Sequence, residues 1–126
     1  MVKFKNENVN PKGKKAADCV IRAITKVTGK DYWQVAEDLF AMQKKTGFML
    51  NEKKCYEKVL EQYGYTKMPQ PRKYDNTKYL AGEIDQLCNK NAVIGVANHL
   101  TCYVDDCVVD IWDCRRKTIG NYWVRY

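Results

Sequence analysis

A single histidine, His99, is all that the 126 residues contain. Any step that needs an imidazole near neutral pH must use that one position. Other absences narrow the field further. No run of eighteen apolar residues occurs, so a membrane-spanning helix is not expected. The opening Met1-Val2-Lys3-Phe4-Lys5-Asn6-Glu7 has no apolar core, so a signal peptide is not expected either. Without a secretory signal, the six cysteines point to the reducing cytosol rather than to a disulfide framework. They stand at positions 19, 55, 88, 102, 107 and 114 and include no C-x-x-C pair. A zinc set of His99, Cys102, Cys107 and Cys114 is disfavoured, because strand positions three apart face opposite ways. No metal or other cofactor is expected, and most of the cysteines read as small buried hydrophobes.

What is present suits one packed domain. Hydrophobic residues make up 45% and aromatics 12%, enough for a core in a chain of this length. The formal net charge is +7, which attracts anionic partners without identifying them. The basic residues are scattered. Only Lys12, Lys14 and Lys15, together with Arg115-Arg116-Lys117, could form a patch, and solvated loops explain them as well. Nucleic-acid binding is therefore a minor reading.

The chain falls into helices followed by strands. Residues 1–15 are polar, with Pro11 and Gly13, and read as an N-terminal arm or lead-in loop. Asp18 reads as an N-cap for a short buried helix carrying Val20, Ile21, Ala23, Ile24 and Val27, stopped by Gly29. A second helix opens at Asp31, with Gln34 completing a capping-box pattern, and ends at Gly47. A third runs from about Asn51 to Tyr63 before Gly64, and a fourth is expected over Thr77–Cys88. Between these two, the prolines of 67–72 mark a loop. From Ala92 the period shortens to that of strands. They are expected at 93–97, 100–104, 108–112 and 122–124, with Asp105-Asp106 as a tight turn. With no repeat and no boundary, residues 16–126 read as one α+β domain: N-terminal helices packed on a small C-terminal antiparallel sheet.

One constellation carries chemistry. Cys19 opens the first helix, where the partial positive charge of the helix start favours a thiolate and the Cys19 N–H can face an oxyanion. If Asp105 and Asp106 are the two central turn residues, His99 lies opposite Trp112 and Thr101 opposite Asp110. His99, Thr101, Tyr103, Asp110 and Trp112 then share one sheet face, with Asp110 diagonal to His99. Asp113 falls on the other face, and a slip of one residue would exchange the two. A carboxylate at Asp110 can hold the imidazole while its second nitrogen meets the thiol. Each member also has a plain structural reading: Cys19 as a small buried residue, His99 as a satisfied imidazole, Asp110 as a solvent-facing strand residue. Arg22, one turn after Cys19, stands near the site mouth or pairs with Asp18. Trp112 and Tyr103 can shield the imidazole, bind an extended substrate, or simply pack.

These segments resemble a known group. Asp18-Cys19-Val20-Ile21-Arg22-Ala23-Ile24 with Thr28-Gly29-Lys30-Asp31-Tyr32 is similar to the "DCVVRAIA…TGKxY" opening of small phage- and bacterium-encoded proteins with papain-like cysteine-peptidase folds. His99-Leu100-Thr101-Cys102-Tyr103-Val104 through Val109-Asp110-Ile111-Trp112-Asp113 resembles their "HLTAVVDGxVYDTWD" strand pair, and Tyr122-Trp123-Val124 their closing strand. The likeness covers roughly residues 16–33 and 91–124, with the helical middle matched only in type. It implies a papain-like fold with Cys19 as nucleophile, His99 as general base and acid, and Asp110 as orienter. The expected setting becomes the cytoplasm of a bacterium or a phage-infected host. The expected partner is a protein or peptide substrate, or a host protein engaged by an inactive binding module. The chain departs from the pattern in one respect. Papain-like enzymes place a Gln several residues before the cysteine as an oxyanion donor, and here no Gln precedes Cys19. Loss of such a donor costs about 2.7–4 kcal/mol in the transition state. Asn8 or Asn10 could replace it if the loop folds back.

Overall fold

Near-continuous apolar runs in its central strands build a six-stranded sheet buried on both faces. The computed structural model describes all residues, 1–126. The strands are β1 (Lys3–Asn6), β2 (Thr66–Met68), β3 (Ala92–Val96), β4 (His99–Val104), β5 (Cys107–Asp110) and β6 (Tyr122–Val124). Three α-helices, α1 (Cys19–Thr28), α2 (Tyr32–Thr46) and α3 (Lys53–Gln62), precede most of them. Strand order across the sheet is β1-β5-β4-β3-β6-β2. Helices α1 to α3 pack through Ile24, Leu39, Val59 and Leu60 on Val93, Leu100, Cys102 and Trp123. The opposite face carries Ile94, Tyr103, Val108 and Tyr122, covered by Val2, Ile84, Cys114 and Ile119. The fold is α+β with one mixed sheet.

Local chemistry explains the elements. Helix α1 ends on Gly29, whose left-handed backbone (φ 71°) lets its N–H close on the Thr25 carbonyl. The Asp31 carboxylate caps α2 by accepting from the N–H groups of Trp33 and Gln34. The expected capping box is only half formed, because the Gln34 amide donates to Asp38 instead of returning to the cap. Asp105 and Asp106 both take positive φ (51° and 65°), the two-residue turn whose twist suits a hairpin. That fixes the register Cys102↔Val109, Tyr103↔Val108 and Val104↔Cys107.

Four expectations are corrected. The arm is not irregular throughout, since Lys3–Asn6 forms β1 and pairs in parallel with β5, Phe4 opposite Val108. Burial of Val2 and the unpaired edge of β5 favour that strand over solvated coil. The sheet is consequently mixed rather than purely antiparallel, and β6 doubles back to pair with β3 instead of extending the meander. The fourth helix shrinks to a six-residue 3-10 turn, Ala81–Gln86, because Thr77–Leu80 is drawn into bridges at Lys78 and Leu80. The strand expected to reach Trp112 stops at Asp110, where the chain leaves the sheet.

Removing residues 1–6 should expose the outer edge of β5. We expect a loss of about 2–3 kcal/mol from Val2 burial alone, read by urea denaturation. Amide exchange at Val108 and Asp110 should accelerate as well. An unchanged midpoint with unchanged exchange would show that β1 is dispensable.

Candidate active site

Chain topology brings three element ends together. Cys19 is the first residue of α1, His99 the first of β4 and Asp110 the last of β5. Because β4 and β5 run antiparallel, the start of one and the end of the other share an edge of the sheet. His99 Nε2 lies 2.7 Å from Asp110 Oδ2. That bond leaves Nδ1 as the ring nitrogen free for another partner. The Trp112 ring sits edge-on to the imidazole, centroids 5.0 Å apart, and covers it while remaining 44% exposed itself.

The electrostatics favour charge separation between Cys19 and His99. Burial alone would raise the Cys19 thiol; interaction with His99, the Leu100 backbone and the Arg22 charge outweighs this and lowers it. Burial would likewise lower His99, yet hydrogen bonding to Asp110, Cys114 and Cys19 raises it well above the usual imidazole range. Both directions favour the charged forms, imidazolium beside thiolate. Asp110 is buried, but hydrogen bonds from His99 and Arg22 hold its carboxyl at about 2.

Arg22 does more than pair with Asp18. Its Nε donates to Asp18 Oδ1 at 2.7 Å, and its Nη1 donates to Asp110 Oδ1 at 2.9 Å. All three side chains are nearly sealed from solvent, at 8%, 7% and 2% exposure. Tyr32 Oη donates to Asp18 Oδ2 at 2.6 Å, and Asn10 Nδ2 donates to the same oxygen at 2.9 Å. So the Asp18 carboxylate is consumed by Arg22, Tyr32 and Asn10, and the expected side-chain cap on α1 is not made. The row of groups alternates in sign from Cys19 through His99, Asp110 and Arg22 to Asp18.

Two oxyanion substitutes considered from the sequence are committed elsewhere. Asn10 serves Asp18, and Asn8 donates to the Lys14 carbonyl at 2.9 Å. As the first residue of α1, Cys19 has a backbone N–H with no carbonyl one turn before it inside the helix. Asn51 and Asn98 side chains line the cleft beside Cys19 and His99. Asn98 had signalled only a strand break, and its positive φ (56°) is the turn that delivers His99. Asp113, the weaker choice for the third member, is exposed and paired with Arg115.

Cys114 is the member that pattern reading did not find. It is buried, with Sγ 3.8 Å from Asp110 Oδ2, and one ligand atom from each of His99, Asp110 and Cys114 falls within 4.8 Å of the others. That set could hold a metal only by breaking the 2.7 Å His99–Asp110 bond, beside the buried Arg22 guanidinium. The arrangement suits a hydrogen-bonded triad better than a cation. All six cysteines are free. The cleft over Cys19 and His99 encloses about 510 Å³, with Tyr56, Val20, Val96 and Leu100 as its apolar lining. No helix is long and apolar enough to cross a membrane. No protein-family model, curated protein or solved structure matches the chain.

Replacing Arg22 by Met should leave two buried carboxylates without their shared cation and cost about 3–5 kcal/mol in chemical denaturation. The loss should be greatest above pH 4. Asp18 and Asp110 titrate below their ordinary carboxyl values in the folded protein, so their contribution is full above the unfolded value and fades as pH falls through the folded one. A penalty under about 1 kcal/mol at pH 7 would refute the buried clamp.

Proposed function

We propose that the protein is a papain-like cysteine hydrolase acting on amide, isopeptide or thioester bonds, with Cys19 as nucleophile, His99 as proton carrier and Asp110 as orienter. What carries this reading is the meeting of Cys19 and His99 at the wall of one 510 Å³ cleft, with His99 Nε2 held 2.7 Å from Asp110 Oδ2. The order of parts supports it too: a cysteine at a helix start, then a helical stretch, then histidine and aspartate on neighbouring strands.

The chemistry proceeds in two halves. Cys19 Sγ attacks the carbonyl carbon, and the negative charge moves to the oxygen, which faces the start of α1. His99 gives its proton to the leaving nitrogen or sulfur as the scissile bond breaks, leaving an acyl thioester on Cys19. Neutral His99 then takes a proton from water, whose oxygen attacks the thioester carbon, and the carboxylic acid departs as Cys19 is restored. Asp110 keeps Nε2 engaged throughout, so the working nitrogen is the one toward the thiol. Trp112 keeps water from the His99–Asp110 bond.

A second reading has its own support. With Asn8 and Asn10 bonded elsewhere, neither of these arm residues supplies the amide that papain-like enzymes take from their Gln, which suits an inactive binding module that engages a host protein. Reactivity of Cys19 separates the two. Iodoacetamide should label Cys19 ahead of the other five cysteines, with a rate that rises below the ordinary thiol range near pH 8.5. His99→Ala should slow labelling at pH 7 by about tenfold or more, because burial then acts on the thiol without its counter-charge. Asp110→Asn should move the profile in the same direction by less. A folded protein whose Cys19 labels no faster than an ordinary thiol would remove the enzyme reading, and full biological effect of Cys19→Ala would favour the binding module.

A further inference from the structure

The cleft does not end beside Cys19 and His99. Lys53, Tyr56 and Val96 wall both this cleft and a second cavity of about 260 Å³, which continues past Gly95 to Gly120 and Asn121. The two form one trough, of a size that takes several residues of extended chain. Its floor is apolar and closed, with Tyr56 8% and Trp123 1% exposed.

Away from the Cys19–His99 pair, charge along the trough has one sign. Lys53 and Lys78 line it, and no aspartate or glutamate does. Lys5, Lys26, Lys67 and Lys73 each sit on a glutamate. Lys53 and Lys78 form no ion pair, and the Lys53 ammonium reaches only the side-chain oxygen of Asn121, at 2.8 Å. Glu52, next in sequence, is turned to the Met49 N–H at 2.8 Å and lines neither cavity. Helix α3 starts at Lys53 without a side-chain cap, so its positive end adds to the same field. Around these cations stand Asn51 and Asn98, each able both to donate and to accept, which is what a peptide main chain asks of a groove. The trough's aromatic rings are too buried to stack on bases, and two lysines make a short track for a phosphate backbone.

We infer that the trough is built for an acidic peptide, whose carboxylates meet Lys53 and Lys78 while its main chain lies across Cys19 and His99. Calling that peptide the substrate rests on the hydrolase reading. Its recognition does not, and can be measured without turnover.

The test uses Cys19→Ala protein and fluorescein-labelled nonapeptides of Gln and Ala in which a Glu pair is moved one position at a time. Fluorescence anisotropy should find one register that binds about tenfold tighter than the all-Gln peptide at low salt. That preference should shrink between 50 and 300 mM NaCl. Lys53→Gln and Lys78→Gln, both at exposed positions, should each remove up to about fivefold of it, and Lys78→Glu should turn it toward Lys-bearing peptides. Equal binding of Glu and Gln peptides in every register, no binding of any, or preference unchanged in both lysine variants would overturn the inference. Oligothymidylate of equal charge binding as tightly would overturn it too, since charge alone would then be read. Failure of the hydrolase reading looks different: Cys19 of the unmodified protein stays inert to iodoacetamide while the Glu preference persists.

Discussion

A guanidinium buried between two carboxylates is the interaction on which the remainder of the site depends. Arg22 spans from Asp18, at the start of α1, to Asp110, at the end of β5. Through it the helix that carries the thiol is tied to the strand that orients the imidazole. Burying such a cluster is worthwhile only when every member is paired, and here Tyr32 and Asn10 complete Asp18 while His99 and the Ile111 N–H complete Asp110. The same clamp sets the electrostatics. Arg22 cancels much of the Asp110 charge, yet its positive charge also reaches Cys19 and helps the thiolate.

Much of this was legible in the residues alone, and the exceptions have physical causes. The pair Asp105-Asp106 specified the hairpin, because two consecutive residues at positive φ demand Asn, Asp or Gly. That turn fixed the register and selected Asp110 over Asp113. Helices α1 to α3 were readable from their apolar spacing and from Gly29 and Gly47. What local pattern could not supply was pairing between distant segments. Val2-Lys3-Phe4-Lys5 alternates too briefly to mark a strand by itself and becomes one because β5 offers an open edge. Residues 77–88 have helical spacing, but bridges to Arg72 and Thr118 take the first part away. Arg22 was expected to find Asp18, four positions earlier; its reach to Asp110 crosses 88 residues of sequence and has no local mark. Cys114 sits between β5 and β6 in an irregular loop, where no periodicity places a side chain.

The site and its surroundings divide the work. Near Cys19 the charges are internally balanced and sealed, which holds geometry. Farther along the trough, Lys53 and Lys78 are unpaired and open to solvent, which suits a partner that arrives with its own charges. On the proposed function, the covered end would govern reactivity and the open end selection. Mutations at the two ends should therefore separate cleanly.

Assembly order follows from the pairing of β1 with β5. Lys3 meets Cys107, so the outer strand cannot dock until β5, far along the chain, has been made. Contacts this distant in sequence close late in folding. During synthesis α1 emerges early with its thiol, while His99 and Asp110 are still to come. While residues 20–98 are being made the growing chain carries a cysteine without its partner, and pairing with His99 must wait for β4.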